Sequence, residues 1–183
     1  MEVGPIRIGG LAAGLALLLT AGCSSGISAD GPFGKSVSGG GSECIPVPPN
    51  GVGTFATVAL GNSSGPARIT SVTLVGAHHL KIVAAWVIPI RGLGLMGVFS
   101  GYPPGPPAAQ APGIQWARRR RADGALIPHL PGQAVYNLVL VLRPSGAQGT
   151  ASSEDIYYQS GGTQYLLNLG IGIQLINGNQ NGC

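Results

Sequence analysis

The chain has 183 residues, a net charge of +4, and 9% charged against 44% hydrophobic side chains, which excludes a solvated disordered chain. Its 32 glycines and 15 prolines follow no triplet period, so a collagen-like helix is excluded. Lys, Glu and Met are scarce, which also excludes a bundle of long surface helices.

Residues 1–22 open the chain with Arg7 ahead of an apolar run from Ile8 to Leu19. That run is as long as a signal-peptide core and too short to span a membrane. Leu19-Thr20-Ala21-Gly22-Cys23 follows at once. The arrangement resembles a bacterial lipoprotein signal peptide with its lipobox, with Thr20 where that family usually carries Leu. The resemblance implies cleavage before Cys23, a diacylglycerol on the Cys23 thiol, and a lipid anchor at the extracytoplasmic face of the cell membrane.

The chain has three cysteines, Cys23, Cys44 and Cys183. With Cys23 acylated, the other two remain as a pair, and export permits a disulfide between them. No CxxC occurs and no His lies near either residue, so a metal-binding or catalytic thiol is not expected.

Residues 23–42 read as a tether. Ser36-Val37-Ser38-Gly39-Gly40-Gly41-Ser42 is its clearest stretch. Residues 43–183 read as one domain. Its patterns have period two: Ala56, Val58 and Leu60 share a face, then Leu80, Ile82, Ala84, Trp86 and Ile88, then Tyr136, Leu138, Leu140 and Leu142. Arg68 to Val75 is rich in β-branched residues. Ser160-Gly161-Gly162 between two apolar runs signals a hairpin. No window carries a helical stripe. The expectation is an all-β fold, an immunoglobulin-like β-sandwich of six to eight strands with Trp86 in its core. A partly open β-barrel is the alternative.

Arg91 to Asp123 reads as one long loop, with a short strand near Met96 to Phe99. It carries Tyr102-Pro103-Pro104 and Trp116-Ala117-Arg118-Arg119-Arg120-Arg121. A loop that long in a compact domain is commonly functional. The lipobox, the tether and a Cys opening the β region belong to a wider pattern. It also includes Trp86-Val87-Ile88-Pro89, the Tyr-Pro-Pro turn, the Trp-Ala-Arg-Arg-Arg stretch, a late Tyr-rich hairpin and a final Cys. The pattern resembles small actinobacterial lipoproteins of unknown function, and that resemblance brings no activity to carry over.

Several literal motifs fail on context. Gly61-Asn62-Ser63-Ser64-Gly65 matches G-x-S-x-G, but Pro66 and a β-branched run follow where a nucleophile elbow needs a helix. It reads as a turn between strands. Gly92, Gly94 and Gly97 match a dinucleotide fingerprint, but the residues after them cannot start the helix that would receive a pyrophosphate. No cofactor is expected. His78, His79 and His129 do not form a metal-ligand spacing, and Glu154-Asp155 reads as a solvated turn.

The remaining signal is charge. Arg118, Arg119, Arg120 and Arg121 equal the whole net excess of the chain beyond Gly22, and Trp116 stands beside them. Basic residues with an aromatic neighbour suit an anionic surface, such as lipid headgroups or a phosphate-rich envelope polymer. Export argues against nucleic acid. The sequence therefore points to a lipid-anchored, non-enzymatic binding or structural module of the envelope, with Trp116 and the four arginines as its contact. The alternatives are an accessory subunit docking another membrane protein and, less favoured, a hydrolase.

Overall fold

The computed structural model describes residues 27–37, 40–62, 64–92, 94–129, 135–178 and 183. The leader and the lipobox with Cys23 lie outside the described residues. Among those described, no helix is long and apolar enough to cross a membrane.

Among the described residues, fourteen strands occur in chain order. They are β1 (Asp30–Gly31), β2 (Gly34–Lys35), β3 (Ser42–Val47), β4 (Gly53–Leu60), β5 (Ala67–Val75), β6 (Leu80–Ile90) and β7 (Gly97–Ser100). They continue with β8 (Arg120–Arg121), β9 (Leu126–Ile127), β10 (Val135–Pro144), β11 (Gln148–Ala151), β12 (Ser153–Ser160), β13 (Thr163–Asn168) and β14 (Gly172–Asn177).

One layer is a five-stranded sheet in the order β7-β4-β10-β6-β8. The other combines a four-stranded sheet, β13-β12-β5-β9, with a three-stranded one, β11-β14-β3. Only Ser152 separates β11 from β12, so one extended segment passes between these two sheets. Phe55, Leu138, Leu140 and Leu142 from the first layer pack with Ile69, Ile156, Leu175 and Ile45 from the second, all buried. The fold is a β-sandwich, and its sheets do not close into a barrel. The all-β, two-layer sandwich expectation holds.

β10 alternates as expected, with Leu138, Leu140 and Leu142 facing the core. Its two neighbours do not. Opposite Leu138 and Leu140, β4 places Val58 and Phe55, three residues apart, so Ala56 and Thr57 together face one residue of β10. On β6, Ile82 and Ala84 oppose Leu142 and Val141, leaving Val83 as the extra residue. Each irregularity is a β-bulge, which reverses the inside–outside alternation beyond it. Ala56 and Trp86, both expected inside, therefore lie on the outer face, while Ala85 and Val87 turn inward.

The sandwich has two distinguishable ends. At one, the turn after β12 at Ser160–Thr163 lies near the start of β5, the end of β4, the end of β6 and the start of β10. We call it the arginine end, for reasons given below. At the other, the turn carrying His78 and His79 meets the end of β10 and the three-stranded sheet. Cys44 and Cys183 form the expected disulfide there, with their Cα atoms 5.6 Å apart.

The expected tether is shorter than read. Asp30–Gly31 and Gly34–Lys35 form a small hairpin, and its turn residue Phe33 is buried against Tyr158, ring to ring at 4.2 Å. Gly31 passes so close to Tyr158 and Tyr165 that a Cβ there would collide with both. Ser28 bonds to the backbone of Gln164 and Leu166. One aromatic side chain in a polar stretch is enough to dock it, because the sandwich edge offers a stacked pair of tyrosines, Tyr158 and Tyr165.

Candidate functional site: an arginine–aromatic face

The outer side of the five-stranded sheet carries a second, smaller apolar cluster. Ala56, Ile88, Met96 and Val139 are buried there, with Trp86, Phe99, Ile114 and Trp116 packed around them. The segment from Arg91 to Trp116 covers this face. It is not one unstructured loop, since it contains β7, one helical turn at Pro106–Ala109 and a 3-10 turn at Trp116–Arg118.

Asn137 pins the cover to the sheet. It is fully buried on β10. Its amide nitrogen donates to the carbonyls of Ala56 (3.1 Å) and Val58 (2.9 Å), flanking the bulge in β4. Its side-chain oxygen accepts from the Met96 N–H at 3.1 Å. A bulge disrupts the ladder, and buried carbonyls left unpaired are costly. Asn137 meets that need and fixes the covering segment at once. At the far side of the cover, the Arg91 N–H donates to the Gly113 carbonyl and the Gln115 N–H to the Pro89 carbonyl, at 3.1 Å each. Gly113 has φ +88°, and a Cβ there would strike the Arg91 backbone, so this return requires glycine.

The arginine run follows directly. Arg120 and Arg121 form β8, paired with Val87 and Trp86 of β6. Strand alternation places neighbours on opposite faces. Arg121 therefore lies over the Trp86 ring at 5.2 Å, whereas Arg120 lies over Tyr136 at 5.1 Å. Arg119 sits between two indoles, 5.0 Å from Trp116 and 5.7 Å from Trp86. Tyr102 extends the aromatic cluster, its ring nearly parallel to that of Trp86 at 6.5 Å and tilted against Trp116 at 5.9 Å.

Backbone and amide oxygens hold several of the same guanidiniums. Arg118 donates to the Gln115 side chain at 2.7 Å, Arg119 to the Trp116 carbonyl at 3.3 Å, and Arg120 to the Leu126 carbonyl. All four arginines are exposed, and Trp116 is half-buried. Among the described residues the one ion pair is Lys35 with Asp30, so none of the four arginines pairs with Asp123, Glu154 or Asp155. Rings orient the guanidiniums of Arg119, Arg120 and Arg121, the Gln115 amide oxygen holds that of Arg118, and the N–H donors not used in these contacts face solvent. Beside Arg118 lies a hollow of about 180 Å³, lined by Pro89, Ile90, Arg91, Gln115, Val135 and Tyr136 as well.

The sequence-expected contact set is thus brought together, but as a turn and a short strand rather than a loop, and with Arg120 on a different face from Arg119 and Arg121. Sequence reasoning missed Trp86, Tyr102, Tyr136 and Asn137. Trp86 and Tyr136 had been assigned only to strand faces, and the bulges that re-aim Trp86 leave no signature in the sequence.

Other expectations fall elsewhere. Gly61 and Gly65 do lie between strands, but β4 before them and β5 after them belong to different layers. Asn62 between them is buried and donates to the carbonyls of Ile127 and Pro128. His78, His79 and His129 are exposed, and no metal-holding group of three His, Cys, Asp or Glu occurs among the described residues. Glu154 is not in a solvated turn. It is completely buried on β12, neither carboxylate oxygen finds a hydrogen-bond partner among the described residues, and burial raises its pKa to about 7. Asp155, next to it, accepts from the Asn168 amide at 2.6 Å.

No family model, curated protein or solved structure matches the chain. The site is accordingly read from its own geometry.

Proposed function

We propose that the protein is a lipid-anchored, non-enzymatic module of the cell envelope, held at the extracytoplasmic face through Cys23, whose arginine–aromatic face binds a phosphate-bearing anionic surface. One observation carries this reading. Four exposed guanidiniums are held by rings and by carbonyl or amide oxygens, and among the described residues no carboxylate pairs with them. A structural cluster would pair its charge internally. This one uses apolar and carbonyl contacts to fix position and keeps its charge for a partner. Half-buried Trp116 suits an interface, with one side apolar and the other wet. Each cation close to an anionic surface contributes about 1 kcal/mol at moderate salt, so the four together would shift binding by roughly a thousandfold.

Sedimentation of the unlipidated chain with phosphatidylglycerol vesicles tests the contact. Binding at low salt that is lost on changing all four arginines to Ser is expected. Equal binding by both proteins, or none by either, contradicts the reading. Palmitate-analogue labelling that tags the wild type and not Cys23→Ser tests the anchor.

A further inference from the structure

The docked amino-terminal segment fixes which part of the domain can reach a membrane. Ser28 runs parallel to β13 beside Tyr165, bonding to Gln164 and Leu166. Because the pairing is parallel, Ile27 lies on the Thr163 side of Ser28, so the described chain begins at the end of the sandwich that carries the turn at Ser160–Thr163. Five peptide steps separate Cys23 from Ser28, a reach of about 17 Å when fully extended. A reach that short brings the end of the sandwich at which the chain emerges within contact distance of anything that holds Cys23.

That same end carries most of the positive charge. Lys35 lines a hollow with Ser160, Gly161 and Thr163. Arg68 starts β5 opposite Gln159, Arg91 follows the end of β6, and Arg118 shares a hollow with Val135 at the start of β10. Arg120 bonds to Leu126, whose strand partner is Arg68. At the other end the cations Lys81 and Arg143 are offset by Glu43, paired with Ile173 of the three-stranded sheet, and by Asp155 near the start of β12. The asymmetry would steer the cationic end toward a negative surface, and the short tether would keep it there.

We infer that the arginine end stands directly on the bilayer, with Arg91, Arg118 and Arg120 against anionic phospholipid headgroups, while the disulfide end faces away. This rests on the anchoring reading above and names the membrane as the partner. Two rival geometries are outcomes of the test: a domain standing free of the bilayer and one lying on its opposite end.

The chain released at Cys23 can be coupled through that thiol to a maleimide lipid, since Cys44 and Cys183 are bridged. Both tryptophans, Trp86 and Trp116, lie in the arginine–aromatic face and report on it without substitution. In phosphatidylglycerol-containing vesicles with bromine-labelled headgroups, their emission should fall at least twofold below that in unlabelled vesicles. The fall should persist at 0.5 M salt, about where screening abolishes untethered binding. Amide exchange should slow at 160–163 and 116–121 and stay unchanged at 76–79. Unquenched tryptophans, or protection at 76–79, overturn the orientation. If the orientation fails while the untethered chain still binds anionic vesicles at low salt, the orientation alone is overturned. If it does not bind, the proposed function fails with it.

Discussion

The two ends of the sandwich are built by different means. At the disulfide end the three-stranded sheet seals the core, with Ile45, Val47 and Leu175 packed around Gly53, and Cys44 is joined covalently to Cys183. Glu154, near the start of β12, is buried there, and neither of its carboxylate oxygens has a hydrogen-bond partner among the described residues. Toward the arginine end, cations lie on rings beside the five-stranded sheet, and their charge stays in water. Burial and covalent linkage stabilise without presenting anything to a partner. Cation–ring contacts contribute less, about 0.5–1 kcal/mol each at exposed sites, but they hold a recognition surface in place. The difference separates the end that maintains the fold from the end that meets the envelope.

Breaking the disulfide end should have the largest effect. Opening a loop of 139 residues removes up to about 5 kcal/mol in the chain-entropy account. The paired change Cys44→Ala with Cys183→Ala should lower the melting temperature by well over 10 °C in thermal unfolding. Binding to anionic vesicles below the transition should stay unchanged, because the arginines lie at the other end. A melting temperature indifferent to reductant would remove the covalent half of the comparison.

Glu154 should give the next largest effect, and it is a pH effect. Its folded pKa of about 7 lies above the ordinary 4.5 because burial disfavours the charged form. Between those values the folded state holds a proton that the unfolded state has lost. Stability is therefore fully present below about pH 4.5 and falls as pH rises to about 7. The loss is on the order of 3 kcal/mol. Glu154→Gln should flatten this slope in denaturant titrations at pH 4.5 and 7.5. An unchanged slope would show that another group titrates.

Asn137→Leu probes the join between core and cover. It leaves the Ala56 and Val58 carbonyls and the Met96 N–H without the partner they now share, at a cost of about 2 kcal/mol. The same change should shift tryptophan emission, since the cover it releases packs on Trp86 and Trp116. Stability lost with unaltered emission would place the damage in the core alone. Trp116→Leu should cost least, about 1 kcal/mol, while weakening vesicle binding by freeing Arg119.

How much of this was legible follows from what sets each feature. The inward residues of β10 could be read because period two ran unbroken through Leu138, Leu140 and Leu142. The disulfide followed from counting cysteines. The arginine run and Trp116 were visible as composition. Ala56 and Trp86 were misassigned because a single extra residue in β4 and in β6 reverses the pattern. Those bulges are set by pairing with β10, which is distant in sequence. Phe33 looked isolated in a polar stretch because its partners, Tyr158 and Tyr165, lie more than a hundred residues away. Glu154 looked like a surface acid because neighbouring acids usually are, and only the strand phase, shared with Ile156 and Tyr158, places it inside.

The central claim is that ring stacking holds the guanidiniums in a binding geometry, so that shape matters beyond charge. Replacing Arg119, Arg120 and Arg121, the three that lie over rings, together by Lys keeps the charge and removes the planar stacking group. Vesicle affinity should be measured for the wild type and this variant from 0.05 to 0.5 M salt. The account predicts parallel salt dependences, with the lysine variant weaker by about tenfold throughout, or about 1.4 kcal/mol. Coincident curves would contradict it and reduce the face to a patch of charge.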